Sequence, residues 1–405
     1  MPERRPTGAK AGFALCWLLL LAALLPLPAA AQAAPRIGVV TMTPGTEYWT
    51  RFGHDALVVD DPERGLRISY NYGYFDFDQP GFLGNFLRGR MRYRLVAMTL
   101  EDDLRSYAEE GRGAALQWLD LEPAEAVAVR DYLEWNARPE NAEYRYDYFT
   151  DNCSTRVRDV LDRALGGGLK RQMSGRSHGL TYRSEALRLG AGLPWMLVGM
   201  HAGLGPYADR PLSLWDEAFV PERLADALDQ ASGSAGRPLV RERVPLLQDR
   251  LRLERAGAPA LRAAFAGAGI ATALLLAILL RPGAGRGQRR LGTALAGAVW
   301  LVCGFGGLLL LALWFGTAHR AAWGNENALL LNPACLLLLA ALPALARGDM
   351  PRPALRRCAQ FVLGCAALSL FLRFLPFRVQ NNGDFIALLL PVHAAISWRL
   401  SQFRR

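Results

Sequence analysis

Five apolar stretches crowd the last third of this 405-residue chain, at about 263–280, 292–316, 328–346, 358–376 and 384–398. Each approaches the roughly 20 residues that cross a hydrocarbon core as a helix. The expectation is an all-α bundle of about five transmembrane helices over residues 261–400. Asn332-Pro333 and Pro391 place kinks in the third and fifth. Loop charge orients the bundle. Arg281, Arg286, Arg289 and Arg290 fill the first loop, Arg347, Arg352, Arg356 and Arg357 the third, and Arg404-Arg405 the tail. The second and fourth loops carry only Arg320 and Arg378. Cytoplasmic loops hold the excess of arginine, so residues 34–260 lie on the opposite side.

The N-terminus leads to the same orientation independently. Arg4, Arg5 and Lys10 precede the apolar run Phe13 to Leu27, and Ala31-Gln32-Ala33 is a small-x-small cleavage pattern. Residues 1–33 therefore read as a signal peptide, with an uncleaved anchor as the alternative. The formal charge of +10 is largely accounted for by the cytoplasmic loops and gives no reason to expect nucleic acid. The protein is expected in the inner membrane, multi-pass, with residues 34–260 periplasmic.

Six cysteines sharpen the picture. Cys16 leaves with the signal, and Cys303, Cys335, Cys358 and Cys365 lie in or at the ends of the apolar stretches. Cys153 alone belongs to the exported part, where a thiol has no intradomain partner to pair with. It is a buried structural thiol, half of an intermolecular disulfide, or a nucleophile.

The exported part opens with short β-branched or aromatic runs, RIGVVTM, HDALVVDD, LRISYNYGYFDF and MRYRLVAMTL, which read as strands. Residues 101–116 and 122–137 read as helices, and 176–260 as mostly helical. This divides the exported part into a strand-bearing domain over 34–175 and a helical extension over 176–260. After Cys153, apolar residues recur at Val157, Val160, Leu161, Ala164 and Leu165, one face of a helix whose start carries the capping types Asp151, Asn152 and Ser154. A cysteine in the first helical turn meets unpaired N–H groups, which favour a thiolate and could hold an oxyanion.

A thiol nucleophile needs a base. Of three exported histidines, His201 lies in an apolar setting typical of a core residue, His178 in a polar loop, and His54 beside Gly53 at the head of a strand. No metal site is expected, because there is no CxxC and no histidine pair at helical spacing. A GxSxG elbow and a phosphate-binding glycine loop are also absent, and no cofactor is implied.

FGHDALVV, YNYGYFDF, FLGNFLRGRMRYRL, YFTDNCSTRVRD and ADRPLSLWDEAFVPERL occur in the order of the periplasmic domain of Lnb-type lipoprotein N-acyltransferases, which the chain resembles. The membrane part adds HRAAWGNENALLLNPACLLLLA, similar to that family's His and paired-Asn stretch. The resemblance implies an α+β, circularly permuted papain-like domain with histidine before cysteine. It also implies acyl transfer from the diacylglyceryl group of a lipoprotein to its N-terminal cysteine amine. Carried over, Cys153 takes the acyl chain as a thioester and His54 is its base. Asn71, 17 residues further on, is the choice for the group that orients His54, with Tyr70 and Asp76 as rivals because a one-residue slip exchanges faces. Asn152 and Ser154 are candidates for cap or oxyanion donor. His319, Asn325 and Asn327 are candidates for lipid head-group contacts. The substrate class is a lipoprotein or phospholipid acyl donor.

Two other functions fit parts of the pattern. A cysteine amidase or endopeptidase acting on peptidoglycan would use the same thiol, but would need only one membrane helix. A non-catalytic, membrane-anchored binding protein would leave Cys153 inert.

Overall fold

The computed structural model describes residues 34–253 and 255–402, so the signal peptide expected over 1–33 lies outside the described residues. The exported part is built on one antiparallel sheet. Its strands are β1 (Arg36–Met42), β2 (His54–Asp61), β3 (Leu66–Tyr74), β4 (Arg92–Thr99), β5 (Ala114–Leu119), β6 (Glu143–Arg145) and β7 (Val240–Leu247). Their order is β6-β4-β3-β2-β1-β5-β7. The four expected strand runs are β1 to β4.

Both faces of the sheet are covered, so alternate residues go to different cores. Ile37, Val39, Leu57, Val59, Tyr70 and Tyr72 face one core. It is closed by α3 (Pro123–Asn136), α4 (Cys153–Ala164) and α7 (Pro221–Asp229). Val40, Met42, Ala56, Val58 and Leu116 face the other, under α2 (Leu100–Glu110). A short α1 (Phe82–Leu87) precedes β4, and α5 (Tyr182–Gly190) and α6 (Pro194–Gly203) lie beyond α4.

Two strands correct the expected pattern. The helix expected over 101–116 stops at Glu110, where Gly111 adopts φ 77°, and the chain re-enters the sheet as β5. Within the stretch expected to be mostly helical, Val240–Leu247 pairs with β5 and forms the sheet edge. Its Pro245 is compatible with an edge position, where a missing N–H costs little.

In the membrane part, α8 (Arg262–Leu279), α9 (Arg286–Gly316), α10 (Pro353–Leu372) and α11 (Gly383–Gln402) are long and apolar enough to cross a bilayer. These four correspond to the first, second, fourth and fifth expected spans. The third, 328–346, departs from expectation because it is not one long helix. It begins with a 3-10 turn (Glu326–Leu329), breaks at Asn332-Pro333, and continues as a shorter apolar segment, Cys335–Arg347. Pro333 brings no N–H to a helical ladder, and the Asn332 side chain accepts from the Ala334 N–H at 3.0 Å. Such backbone is tolerated at membrane depth when protein surrounds it. Cys335, Leu338, Ala341 and Leu345 are all fully buried in the bundle core.

Candidate functional site

His54 is the first residue of β2 and pairs with Met42. Strand alternation turns its ring to the α2 face, where it stacks on Tyr107 with centroids 6.3 Å apart. Asn71 of β3 is opposite Ala56 and shares that face. Its Oδ1 lies 2.9 Å from His54 Nε2. The amide's orientation is fixed from behind. Asn71 Nδ2 donates to Asp103 Oδ2 at 2.9 Å and to Ser69 Oγ at 3.1 Å, and Ser69 Oγ itself donates to Asp103. With its N–H groups committed to Asp103 and Ser69, Asn71 can only present its oxygen to the imidazole. Nε2 of His54 therefore carries the proton in the neutral ring, and Nδ1 is left as the basic nitrogen. Burial lowers the His54 pKa most, while the Asp103 carboxylate and the Asn71 bond oppose it.

Of the two rivals to Asn71, Tyr70 faces the opposite core. Asp76 is exposed in a turn, where it accepts the Asp78 N–H.

Cys153 is the first residue of α4, capped by Asn152. Asn152 Oδ1 accepts the Thr155 N–H at 2.9 Å, and Thr155 Oγ1 accepts the Asn152 N–H at 2.8 Å. The Asn152 amide then donates to the carbonyls of Tyr148 and Phe219. All of its polar capacity serves the cap. The Ser154 hydroxyl is buried against Ala218 O at 2.7 Å. Neither side chain is free to act as an oxyanion donor, and the uncommitted donors at this helix start are main-chain N–H groups.

The thiol reaches the end of β2. The N–H groups of Asp55, Ser154 and Cys153 itself point to the sulfur and favour its charged form. Asp55 directly follows His54, so the Cys153 sulfur is held at the strand end that carries the imidazole. The β2–β3 ladder stops at Ala56↔Asn71, and the β3 register shifts between Asn71 and Tyr74. Gly73 sits in that irregularity with φ +94°, and a Cβ there would lie 3.7 Å from Cys153 Cβ. Only glycine holds this backbone comfortably beside the thiol.

The helix start alone would favour a thiolate, but burial is the stronger influence and pushes the thiol up to about 12. The Asp55 carboxylate acts in the same direction. Asp55 is fully buried. Its Oδ1 accepts from the Thr41 hydroxyl at 2.8 Å, and its Oδ2 has no hydrogen-bond partner among the described residues. Burial raises its own pKa to about 7, and the nearby Ser154 and Thr41 hydroxyls oppose that. Tyr107, Tyr144 and Tyr146, all half-buried, complete the surroundings and each feels the sulfur's charge. Burial thus favours the uncharged form of both groups, the thiol at Cys153 and the imidazole at His54.

From Tyr146 an aromatic series runs outward through Tyr93, Phe75 and Phe77 to Trp49. It ends exposed, with Phe77 at 54% and Trp49 at 45% accessibility. Leu83 and Leu87 of α1 are also exposed.

The remaining predicted residues lie at the seam between the exported and membrane parts. His319 Nε2 is 3.0 Å from Phe86 O, and its ring stacks on Tyr148. Asn325 and Asn327 are buried, and both amides donate to Ala202 O, at 2.8 and 2.9 Å. Their hydrogen bonds tie the two parts together and are not directed to a head group. His201 sits in the same seam, buried and 3.0 Å from Asp384. His178 Nδ1 meets Glu217 at 2.6 Å, away from the thiol. No cluster of metal-ligating side chains occurs among the described residues.

Residues 30–184 match the family model of the Lnb N-terminal periplasmic domain, and residues 265–402 that of the Lnb transmembrane domain. The chain belongs to the Lnb family, as a membrane protein with a periplasmic domain and a multispan membrane region, connected with lipoprotein processing. No curated protein and no solved structure matches it significantly.

Proposed function

We propose that this protein is a thiol acyltransferase of bacterial lipoprotein maturation. The observation that carries the reading is the His54–Asn71–Asp103 series beside a cysteine at a capped helix start, in a domain seated on a membrane bundle. His54 Nδ1 takes the Cys153 proton as sulfur attacks an ester carbonyl of the diacylglyceryl group. The oxyanion draws on the main-chain N–H groups at the helix start. The carbon–oxygen bond breaks, the imidazolium protonates the departing glyceryl oxygen, and the acyl group remains as a Cys153 thioester. The α-amine of the lipoprotein's N-terminal cysteine then attacks the thioester and yields its proton through His54. The carbon–sulfur bond breaks, and the thiol re-forms. The product is an N-acylated lyso-form lipoprotein.

Keeping the thiol neutral at rest suits this chemistry, since thiolate is formed only as His54 removes the proton. The exposed aromatic series offers an apolar surface leading from the thiol to solvent, as an acyl substrate requires. Five apolar stretches, where an anchor needs one, also favour a lipid substrate over a cell-wall peptide.

The test is mass spectrometry of lipoproteins from cells carrying wild type or Cys153→Ala. The expected result is diacyl lipoprotein with a free N-terminus in the variant, and an acyl thioester trapped on Cys153 in the wild type. Unchanged lipoproteins with altered cell-wall peptides would replace this reading by the hydrolase.

A further inference from the structure

The seam between the two parts contains a concentration of positive charge that acyl transfer does not use. At the end of α1, Gly89 turns with φ +68°, and a Cβ there would lie 2.9 Å from His319 N. This close approach puts the flanking Arg88 and Arg90 against the end of α9. Ala318 N–H donates to Arg88 O at 2.8 Å. Arg88, Arg90, Phe315, Thr317 and Trp323 line an open cleft of about 210 Å³. Arg145 joins the same turn by donating to Gly89 O at 3.2 Å, and Arg320 follows two residues after Ala318. All four arginines are exposed, and none has an ion-pair partner among the described residues.

Four unpaired cations on the periplasmic side are unexpected, because bundles concentrate arginine on the cytoplasmic side. The carbonyls at the C-terminal end of α9 offer only about half an elementary charge in compensation. The walls of the cleft are also informative. Phe315 is 75% exposed at the end of a membrane-spanning helix, and Trp323 is 39% exposed with its indole N–H bound to Thr317 O. Exposed aromatic residues at a helix end mark the level of the head groups. An anion that meets the guanidinium forks there, with apolar chains beside Phe315, is a phospholipid.

We propose that Arg88 and Arg90 form a binding site for the phosphodiester of an anionic phospholipid. Arg145 and Arg320 strengthen the field, and Phe315 and Trp323 flank the lipid. The site is joined to the thiol pocket through Met91, whose carbonyl accepts the Tyr146 N–H. A lipid held here seats the exported domain at a fixed height on the bilayer.

The full chain, exchanged into neutral detergent containing equal parts phosphatidylglycerol and phosphatidylcholine, would be analysed for retained lipid by native mass spectrometry. Wild type should retain phosphatidylglycerol preferentially, and an Arg88→Gln/Arg90→Gln variant should bind it about tenfold more weakly. Arg88→Lys/Arg90→Lys keeps the charges but loses the forks, and should fall between the two. An alkylation rate of Cys153 that matches wild type and rises on denaturation reports that the domain is folded in the same samples. Equal retention by wild type and a folded glutamine variant would overturn the proposal. So would displacement of the lipid by inorganic phosphate at comparable concentration, which would make the site one for a free anion. Retention is read without turnover, so this result and the fate of the acyltransferase reading are separable.

Discussion

Nε2 of His54 and Oδ1 of Asn71 stand 2.9 Å apart across neighbouring strands, and the amide cannot turn over without facing its oxygen towards the Asp103 carboxylate. The imidazole tautomer is therefore set by a carboxylate that does not touch it.

Asn71→Ala removes that constraint. Turnover should fall by roughly ten- to a hundredfold, mainly in kcat, because the base loses its orientation while the substrate surface is untouched. Asp103→Leu, which frees Asn71 to rotate and removes the charge that raises the His54 pKa but leaves the amide in place, should have a smaller effect. Steady-state kinetics on a lipoprotein substrate would decide, and an Asp103→Leu defect larger than that of Asn71→Ala would contradict the order of action.

Asp55 should govern the reactivity of the thiol. Its charge disfavours thiolate at Cys153. In Asp55→Asn the pH profile of Cys153 alkylation should shift to lower pH, giving faster labelling near neutrality. An unshifted profile would remove Asp55 from the account.

The same residue sets a pH dependence of stability. Its folded pKa of about 7 lies above its ordinary value of 3.8. The stabilisation from binding that proton is complete below the ordinary value and is lost as pH rises through the folded one. Asp55→Asn should therefore raise the melting temperature in detergent at about pH 8 and change it little at about pH 4. The difference in unfolding free energy should be on the order of a few kcal/mol at most.

Gly73→Ala asks a residue with a Cβ to hold φ +94° beside Cys153. A loss of about 1–3 kcal/mol is expected, with altered alkylation as the strained backbone shifts beside the thiol. Wild-type melting and labelling would show that the β3 irregularity relaxes freely.

Asn325→Ala combined with Asn327→Ala removes both donors to Ala202 O. Amide hydrogen exchange over residues 200–206 should rise. Turnover in membranes should fall more than Cys153 labelling, because the site remains intact while its seating loosens.

Much of the site was legible in the sequence because local rules produce it. Cys153 is placed by a helical repeat and its cap, His54 by a glycine and a strand start, and Asn71 by period-2 alternation. Asp103 was missed, although it occupies a position where the α2 stripe of Leu100, Leu104 and Tyr107 calls for an apolar side chain. An acidic residue on a buried stripe was the available signal. β5 and β7 were hidden for a different reason. AALQWL begins inside the helix expected over 101–116, and VRERVPLL carries charges and a proline. Each becomes a strand only because the other is there to pair with. The thiol's protonation was likewise beyond the sequence, since burial outweighs the helix start and burial depends on the whole fold.

The position of β7 bears on biosynthesis. The sheet's last strand ends at Leu247, and the first membrane helix begins at Arg262. During export, β5 waits with an unpaired edge until almost all of the periplasmic segment has been translocated. The sheet of the exported part is thus completed only as the first membrane helix is about to enter the bilayer.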